Sequence, residues 1–91
     1  MPDDTAYFIV TSHPTYGPVL ECFKKCNILT ESELIEAITE GLNRNKEYWD
    51  DSARKTGSSA MRESYTGCSR KMIEYLSLLE QGLDMYIDSL D

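Results

Sequence analysis

The C-terminal third of the chain repeats an apolar residue at every third or fourth position. The spacing alternates between four and three, a heptad repeat typical of helices that pack along a shared seam. The pattern predicts one helix over residues 58–90. Gly67 is its weak point, because a glycine in a helix interior costs about 1 kcal/mol relative to alanine, and a break at Gly67 is the alternative. The repeat consists of Met61, Tyr65, Cys68, Met72, Tyr75, Leu79, Gly82 and Tyr86.

The middle of the chain contains the strongest local helix signal. In LTESELIEAITE, Thr30 is placed to cap the first turn and Glu33 to reach back to it, which is a capping box. Apolar positions then recur with helical spacing, and Gly57 supplies a stop. The pattern predicts a helix over residues 31–55. Its apolar face comprises Leu34, Ile35, Ile38, Leu42 and Trp49.

The N-terminal part of the chain has a weaker pattern. The segment AYFIV at residues 6–10 is aromatic and β-branched, which favours a strand, so residues 1–17 are predicted to form an extended or strand-like arm. This arm either packs on the helices or pairs with another chain. Pro18 suits the first position of a helix, and a short helix is predicted over residues 18–26.

These elements predict a single small helical domain over residues 1–91, mainly all-α. The link KTGSS is short, so the two long helices are expected to form an antiparallel hairpin that turns at Gly57. At about 1.5 Å per residue, the helix over 58–90 is expected to overhang its neighbour by about two turns. The short helix offers the nearest apolar face to cover that overhang.

The apolar stripe is wider than three helices cover, and an exposed apolar patch on a small domain usually marks an interface. The sequence therefore predicts a protein-binding face. It also favours a homodimer, because a chain of 91 residues buries only a modest core. The alternative is that the stripe closes within the monomer. The residues expected at the apolar interface are Trp49, Tyr65, Met72, Tyr75, Leu79, Leu83 and Tyr86.

Charge is unevenly distributed along the sequence. The net charge is −7, with −5 in residues 31–53, +3 in residues 54–74 and −4 in residues 75–91. An antiparallel hairpin brings the two acidic stretches to one end, which would form a docking face for a basic partner. The alternative is a solvated face that maintains solubility. The acidic end comprises Glu31, Glu33, Glu36, Glu40, Glu80, Asp84, Asp88 and Asp91.

Composition narrows the range of partners and locations. An acidic chain is unsuited to direct binding of nucleic acid or of an anionic membrane surface, because both require clustered Lys and Arg. The sequence has no run near the ~20 apolar residues of a membrane span, and its start, MPDDTAYFIV, lacks the features of a signal peptide. Three cysteines are an odd number, so free thiols in a reducing cytoplasm are expected.

Residues suited to catalysis or metal binding are few. The soft metal ligands are His13, Cys22, Cys26 and Cys68, and a zinc site would require several of them to converge tetrahedrally. The sequence has no Gly-x-Ser-x-Gly elbow and no phosphate-binding Gly-rich loop after a strand. We therefore expect no catalytic residues, no metal and no cofactor.

The expected function is a non-enzymatic protein–protein interaction module, such as an adaptor, a small chaperone or an assembly subunit. A second hypothesis is a small acidic inhibitor of the phage anti-defence type, which mimics nucleic acid and occupies a basic site of an enzyme.

A third hypothesis comes from a loose resemblance. The tail SRKMIEYLSLLEQGLDMYIDSL resembles the second helix of small helical-hairpin proteins exported by type VII secretion, which implies a leaderless secreted protein. That family has Trp-x-Gly at its hairpin turn, whereas this turn reads RKTGSS and Trp49 lies one or two helical turns earlier. The chain is therefore not assigned to that family.

Overall fold

Two long helices form the framework of the molecule. The computed structural model describes residues 4–90, and α3 packs lengthwise against α4 as an antiparallel pair, which confirms the predicted all-α hairpin. The helices within the described residues are α1 Asp4–Ser12, α2 Gly17–Cys26, α3 Glu31–Lys55, α4 Ser59–Gln81 and α5 Leu83–Asp88.

The bounds of α3 follow from its local sequence. The backbone N–H of Glu33 donates to the Thr30 hydroxyl at 3.1 Å, and the Thr30 N–H donates to the Glu33 carboxylate at 2.9 Å. This is the predicted capping box, and it satisfies two donors that a helix start otherwise leaves unpaired. α4 begins after Ser58, whose hydroxyl accepts from the Met61 N–H at 3.3 Å.

The N-terminal segment is helical, so the prediction of an extended or strand-like arm over residues 1–17 is wrong for its described part. Ala6 and Val10 lie one helical turn apart and are both buried, with 3% and 0% exposure, on the side where α1 packs against α3. Burial on one helical face outweighs the β propensity of AYFIV, because that propensity depends strongly on context. Residues 1–3 of the predicted arm lie outside the described residues.

The prediction of a single last helix over residues 58–90 is also wrong, because α4 ends at Gln81 and α5 follows. Gly67 lies within α4, and the chain reverses instead at Gly82, which has φ 157° and ψ 147°, a conformation that residues with a Cβ rarely adopt. The predicted two-turn overhang does not form. Leu83, Tyr86 and Ile87 fold back and are buried, with exposures of 4%, 0% and 3%, because reversal removes their apolar surface from water.

Contacts across the seam define the register of the hairpin. The Trp49 and Tyr65 rings stack with centroids 5.7 Å apart, and Ile35 lines the same cleft as Leu79. α2 corresponds to the short helix predicted over residues 18–26. It ends at Asn27, whose backbone is in the left-handed conformation. The core lies where α1, α2 and α5 pack on the hairpin, and comprises Ala6, Val10, Leu20, Phe23, Leu29, Leu34, Ala37, Ile38, Leu42, Met72, Leu79, Leu83, Tyr86 and Ile87.

Candidate protein-binding surface

The turn half of the hairpin extends beyond the three short helices. We call residues 44–71 the distal hairpin and residues 4–43 with 72–90 the body. In the distal hairpin only Ser69 is buried, whereas every apolar core residue belongs to the body. The molecule measures 45 × 24 × 19 Å. The distal hairpin is the part of its length where α3 and α4 pack on each other and no third helix of the described residues packs on them.

On α3, one face passes from covered to open. A Cβ placed on Gly41 would lie 2.6 Å from the Thr11 carbonyl oxygen and 3.0 Å from the Pro14 ring, so α1 and the following turn lie directly on this face. Tyr48 follows Gly41 by seven residues, two helical turns, and therefore lies on the same side. Its side chain is 62% exposed, so the covering ends between these two positions.

On α4, the corresponding face changes in the same way. The Tyr75 ring contacts the Tyr86 ring of α5 edge-on, with centroids 5.7 Å apart. Cys68 and Met61 precede Tyr75 by seven and fourteen residues and share its face. Cys68 is half-buried and Met61 is 44% exposed. Thus the face of α3 that α1 covers and the face of α4 that α5 covers in the body are both open in the distal hairpin.

Three aromatic rings contact one another in this open part of the hairpin. The indole of Trp49 stacks on Tyr65 at an interplanar angle of 23°. The Tyr48 ring meets Trp49 edge-on, with centroids 4.9 Å apart. Such ring pairs stabilise beyond their area burial. We call the set formed by Tyr48, Trp49, Met61, Tyr65 and Cys68 the aromatic groove.

A polar bridge ties the two helices together at the base of the distal hairpin. The Ser69 hydroxyl, on a residue with 4% exposure, donates to the Asp50 carboxylate at 2.5 Å, and the Lys46 ammonium donates to the same carboxylate at 2.9 Å. Both bonds lower the pKa of the Asp50 carboxyl, and the bond from Ser69 has the larger effect. At the tip, the Arg62 guanidinium donates to the Ala53 carbonyl at 3.4 Å. The groove is therefore built on a braced pair of helices.

The distal hairpin is basic and the remainder of the chain is acidic. Seven of the nine Lys and Arg residues, but only four of the sixteen Asp and Glu residues, lie in residues 44–71, which gives this segment a net charge of +3. Because the whole chain has −7, the rest has −10. The molecule is thus electrically polar along its length.

The acidic residues predicted for the far end lie on the body where the structure describes them, and several have local partners. Glu33 belongs to the capping box, whose bonds to Thr30 lower the pKa of its carboxyl. Glu40 accepts from the Tyr7 hydroxyl at 2.6 Å and pairs with Arg44 at 2.5 Å. The bond to Glu40 raises the pKa of Tyr7 to about 12.

The remaining acidic positions divide between faces. Asp84 forms an ion pair with Lys24, and both line a cleft of about 410 Å³ together with Glu31. Glu36 lines a second depression, next to Tyr7, and Glu80 lies beside Ile35. Asp88 is exposed on α5. Asp91 lies outside the described residues.

The seven residues predicted for an apolar interface separate into two groups. Met72, Leu79, Leu83 and Tyr86 belong to the buried core of the body, so they are not on the surface of the monomer. Trp49, Tyr65 and Tyr75 are half-buried, and the first two lie in the aromatic groove. The predicted set lacked Tyr48 and Met61, although their spacing from Gly41 and Tyr75 places them on the faces that open.

The thiols do not converge. Cys22 and Cys26 are exposed on α2, and a hydrogen bond between the two thiols raises the pKa of Cys22. Cys68 lies on α4, and His13 comes directly after α1. Within residues 4–90, no three His, Cys, Asp or Glu side chains form a group suited to binding a metal ion.

Comparison with known proteins gave no relatives: neither a family model, nor a curated protein, nor a solved structure matches the chain. Among the helices of the described residues, none combines the length and the hydropathy needed to cross a bilayer.

Proposed function

We propose that this protein is a non-enzymatic protein-binding module whose distal hairpin supplies the binding surface. One observation supports the proposal above others: the face of α3 that α1 covers in the body and the face of α4 that α5 covers both continue, uncovered, past Tyr48 and Met61. Two neighbouring uncovered helix faces suit an amphipathic helix or helix pair, which would complete the bundle.

The residues of the groove suit a binding surface. Tryptophan and tyrosine dominate the affinity of protein interfaces, because their rigid rings bury large areas at low entropic cost, and methionine is enriched there. Trp49 and Tyr65 are already fixed by stacking, so binding would order few further torsions. The proposed setting is the cytoplasm, where three free thiols stay reduced.

Charge would guide the approach of a partner. A distal hairpin of +3 on a chain of −7 attracts an acidic surface to the groove, and the acidic body repels that surface elsewhere. Such patterns mainly raise association rates and fix orientation, while buried aromatic contacts supply affinity.

A site-specific crosslink tests the location of the binding surface. A photo-reactive phenylalanine analogue replaces Tyr48, and in a control variant it replaces Phe8, which is 67% exposed on α1. In cells of the source organism we expect a covalent adduct from position 48 and none from position 8. Equal adducts from both positions, or none from position 48, would contradict the proposal.

The acidic body favours a second candidate function. The residues outside the distal hairpin carry a net charge of −10. A surface this acidic could mimic nucleic acid and occupy a basic nucleic-acid site of an enzyme. The same experiment separates the two candidates. A mimic would crosslink from Glu36, on the body, to a basic enzyme, and position 48 would give no adduct.

A further inference from the structure

We infer that Cys22 and Cys26 together bind one copper(I) ion through their two sulfur atoms. Both cysteines belong to α2, in the body, so this site is separate from the proposed protein-binding surface. The sequence predicted no metal, because a zinc site requires several converging ligands. Copper(I) differs from zinc, since it prefers soft thiolate ligands and two of them suffice to hold it.

The helix places both sulfur atoms within reach of one ion. Cys22 and Cys26 are four residues apart in an uninterrupted helix, so their Cβ atoms are neighbours on one face, about 5–6 Å apart. The hydrogen bond between the two thiols shows that the side chains already turn toward each other. An ion that takes the place of the shared proton therefore binds both sulfur atoms with little movement of the side chains.

Both thiols are open to an ion arriving from solution. Cys22 and Cys26 are exposed, whereas Leu20 and Phe23, on the side of α2 that faces the core, have exposures of 0% and 9%. The ion can thus enter without local unfolding. The third thiol, Cys68, belongs to α4 in the distal hairpin and does not complete a three-thiol site.

The number of ligands favours copper(I) over zinc. Structural zinc is almost always held by four protein ligands, and catalytic zinc by three. Among residues 4–90, no group of three His, Cys, Asp or Glu side chains is suited to a metal ion, so zinc lacks its ligands here. Two thiolates, in contrast, match the preference of copper(I) for soft donors.

The helix also disfavours a disulfide between the same two residues. A disulfide requires Cβ atoms about 3.5–4.5 Å apart, which is shorter than the about 5–6 Å that separates residues four apart on a helix. Closing the bond would therefore distort the last turn of α2. A bridging ion adds length between the sulfur atoms, so it joins them without that distortion.

Binding is an exchange of protons for the ion, with no redox step. Each thiol releases its proton to solvent, two copper–sulfur bonds form, and copper stays in the +1 state. The resulting group carries one net negative charge. Lys25 follows Cys22 by three residues, on the same face. Its ammonium lies 3.8 Å from the Glu21 carboxylate and its side chain is 78% exposed, so it can turn to balance this charge.

Anaerobic titration tests the site, with copper(I) supplied from a coloured chelator whose absorbance reports how much ion it has lost. We expect the wild-type protein to withdraw one copper(I) ion per chain. Cys22→Ser and Cys26→Ser should each lower the affinity by at least about tenfold, because a single thiolate remains at the site. Cys68→Ser removes a thiol outside the site and should bind as the wild type does.

A variant with an unchanged number of thiols tests the helical spacing. Cys26→Ser combined with Lys24→Cys places the second thiol two residues after Cys22, on another face of the helix. This double variant should bind copper(I) as weakly as Cys22→Ser does. Circular dichroism checks that each variant is folded, and the single serine variants carry the test if the double variant is not.

Four results would overturn the inference. These are a wild-type protein that withdraws no copper(I), a Cys22→Ser or Cys26→Ser variant that binds as the wild type does, a Cys68→Ser variant that loses the ion, and a double variant with wild-type affinity. One ion per two chains with a doubled molar mass would also overturn it, because the ion would then lie between copies. None of these results bears on the proposed function, which depends on the distal hairpin.

Discussion

Gly41, Gly67 and Gly82 differ in the space available for an added methyl group and in their backbone conformation. Gly41 lies under α1, where a Cβ would come within 2.6 Å of the Thr11 carbonyl oxygen. Gly67 lies in a regular helix with open space around it. Gly82 also has open space, but its φ of 157° is one that a residue with a Cβ rarely adopts.

Substitution of two of these glycines by alanine should change stability in opposite directions. Gly82→Ala should lower the free energy of unfolding by about 1–3 kcal/mol, because the reversal into α5 then requires a strained backbone. Gly67→Ala should raise it by about 1 kcal/mol through helix propensity. Urea denaturation of both variants beside the wild type measures the two changes. A destabilising Gly67→Ala together with a neutral Gly82→Ala would contradict a helix break at Gly82.

Residue-scale features were predictable where the interaction is local in sequence. Thr30 and Glu33 are three positions apart, so the capping box and the start of α3 could be inferred without any tertiary contact. The burial of Ala6 and Val10 was not predictable in this way, since every residue of AYFIV is apolar or aromatic and the segment shows no polar–apolar period. Only the packing of α1 over Gly41 decides that the segment is helical.

At the scale of elements, a buried polar bridge joins the two helices at the base of the distal hairpin. The Ser69 hydroxyl donates to Asp50 across the seam, and Lys46 holds the same carboxylate from within α3. The remaining ion pairs of Asp51, with Arg54 and Lys55, lie within α3 and do not join α3 to α4. Ser69 therefore couples α3 to α4 beyond the core.

Removal of this bridge should loosen the distal hairpin and leave the body intact. In Ser69→Ala, backbone amides of residues 44–71 should exchange hydrogen for deuterium faster, because Asp50 loses its donor on α4 and local opening becomes easier. Amides of α1 and of residues 34–42 should exchange as in the wild type. Ser64→Ala, at an exposed position, serves as the control. Unchanged exchange throughout Ser69→Ala would show that the stacked rings and the Arg62 bond hold the helices together without the bridge.

Sequence analysis misplaced the C-terminal end of the second long helix. Gly67 and Gly82 are both glycines on a continuous heptad pattern, so their local sequences do not distinguish which one interrupts the helix. The position of the break depends on the apolar surface that reversal of the chain can bury. After Gly82, reversal buries Leu83, Tyr86 and Ile87 against the body, whereas a break at Gly67 would bring no comparable apolar surface out of water.

At the scale of the whole molecule, unequal covering of one hairpin separates core from candidate binding surface. The sequence indicated an apolar stripe and opposite charges along the hairpin, but it did not show where α1 and α5 would lie. Their positions assign Leu79 and Tyr86 to the core. They leave Tyr48, which the predicted interface lacked, on an open face.

The accessibility of Trp49 tests most directly whether the aromatic groove is the binding surface. Trp49 is the chain's single tryptophan, so its fluorescence reports on the floor of the groove alone. Acrylamide quenching is measured for the free monomer and for the assembled species, whether a dimer or a complex with another protein. We predict that Trp49 is quenched less in the assembled species, because the partner covers the groove. Equal quenching of Trp49 in both would contradict the account.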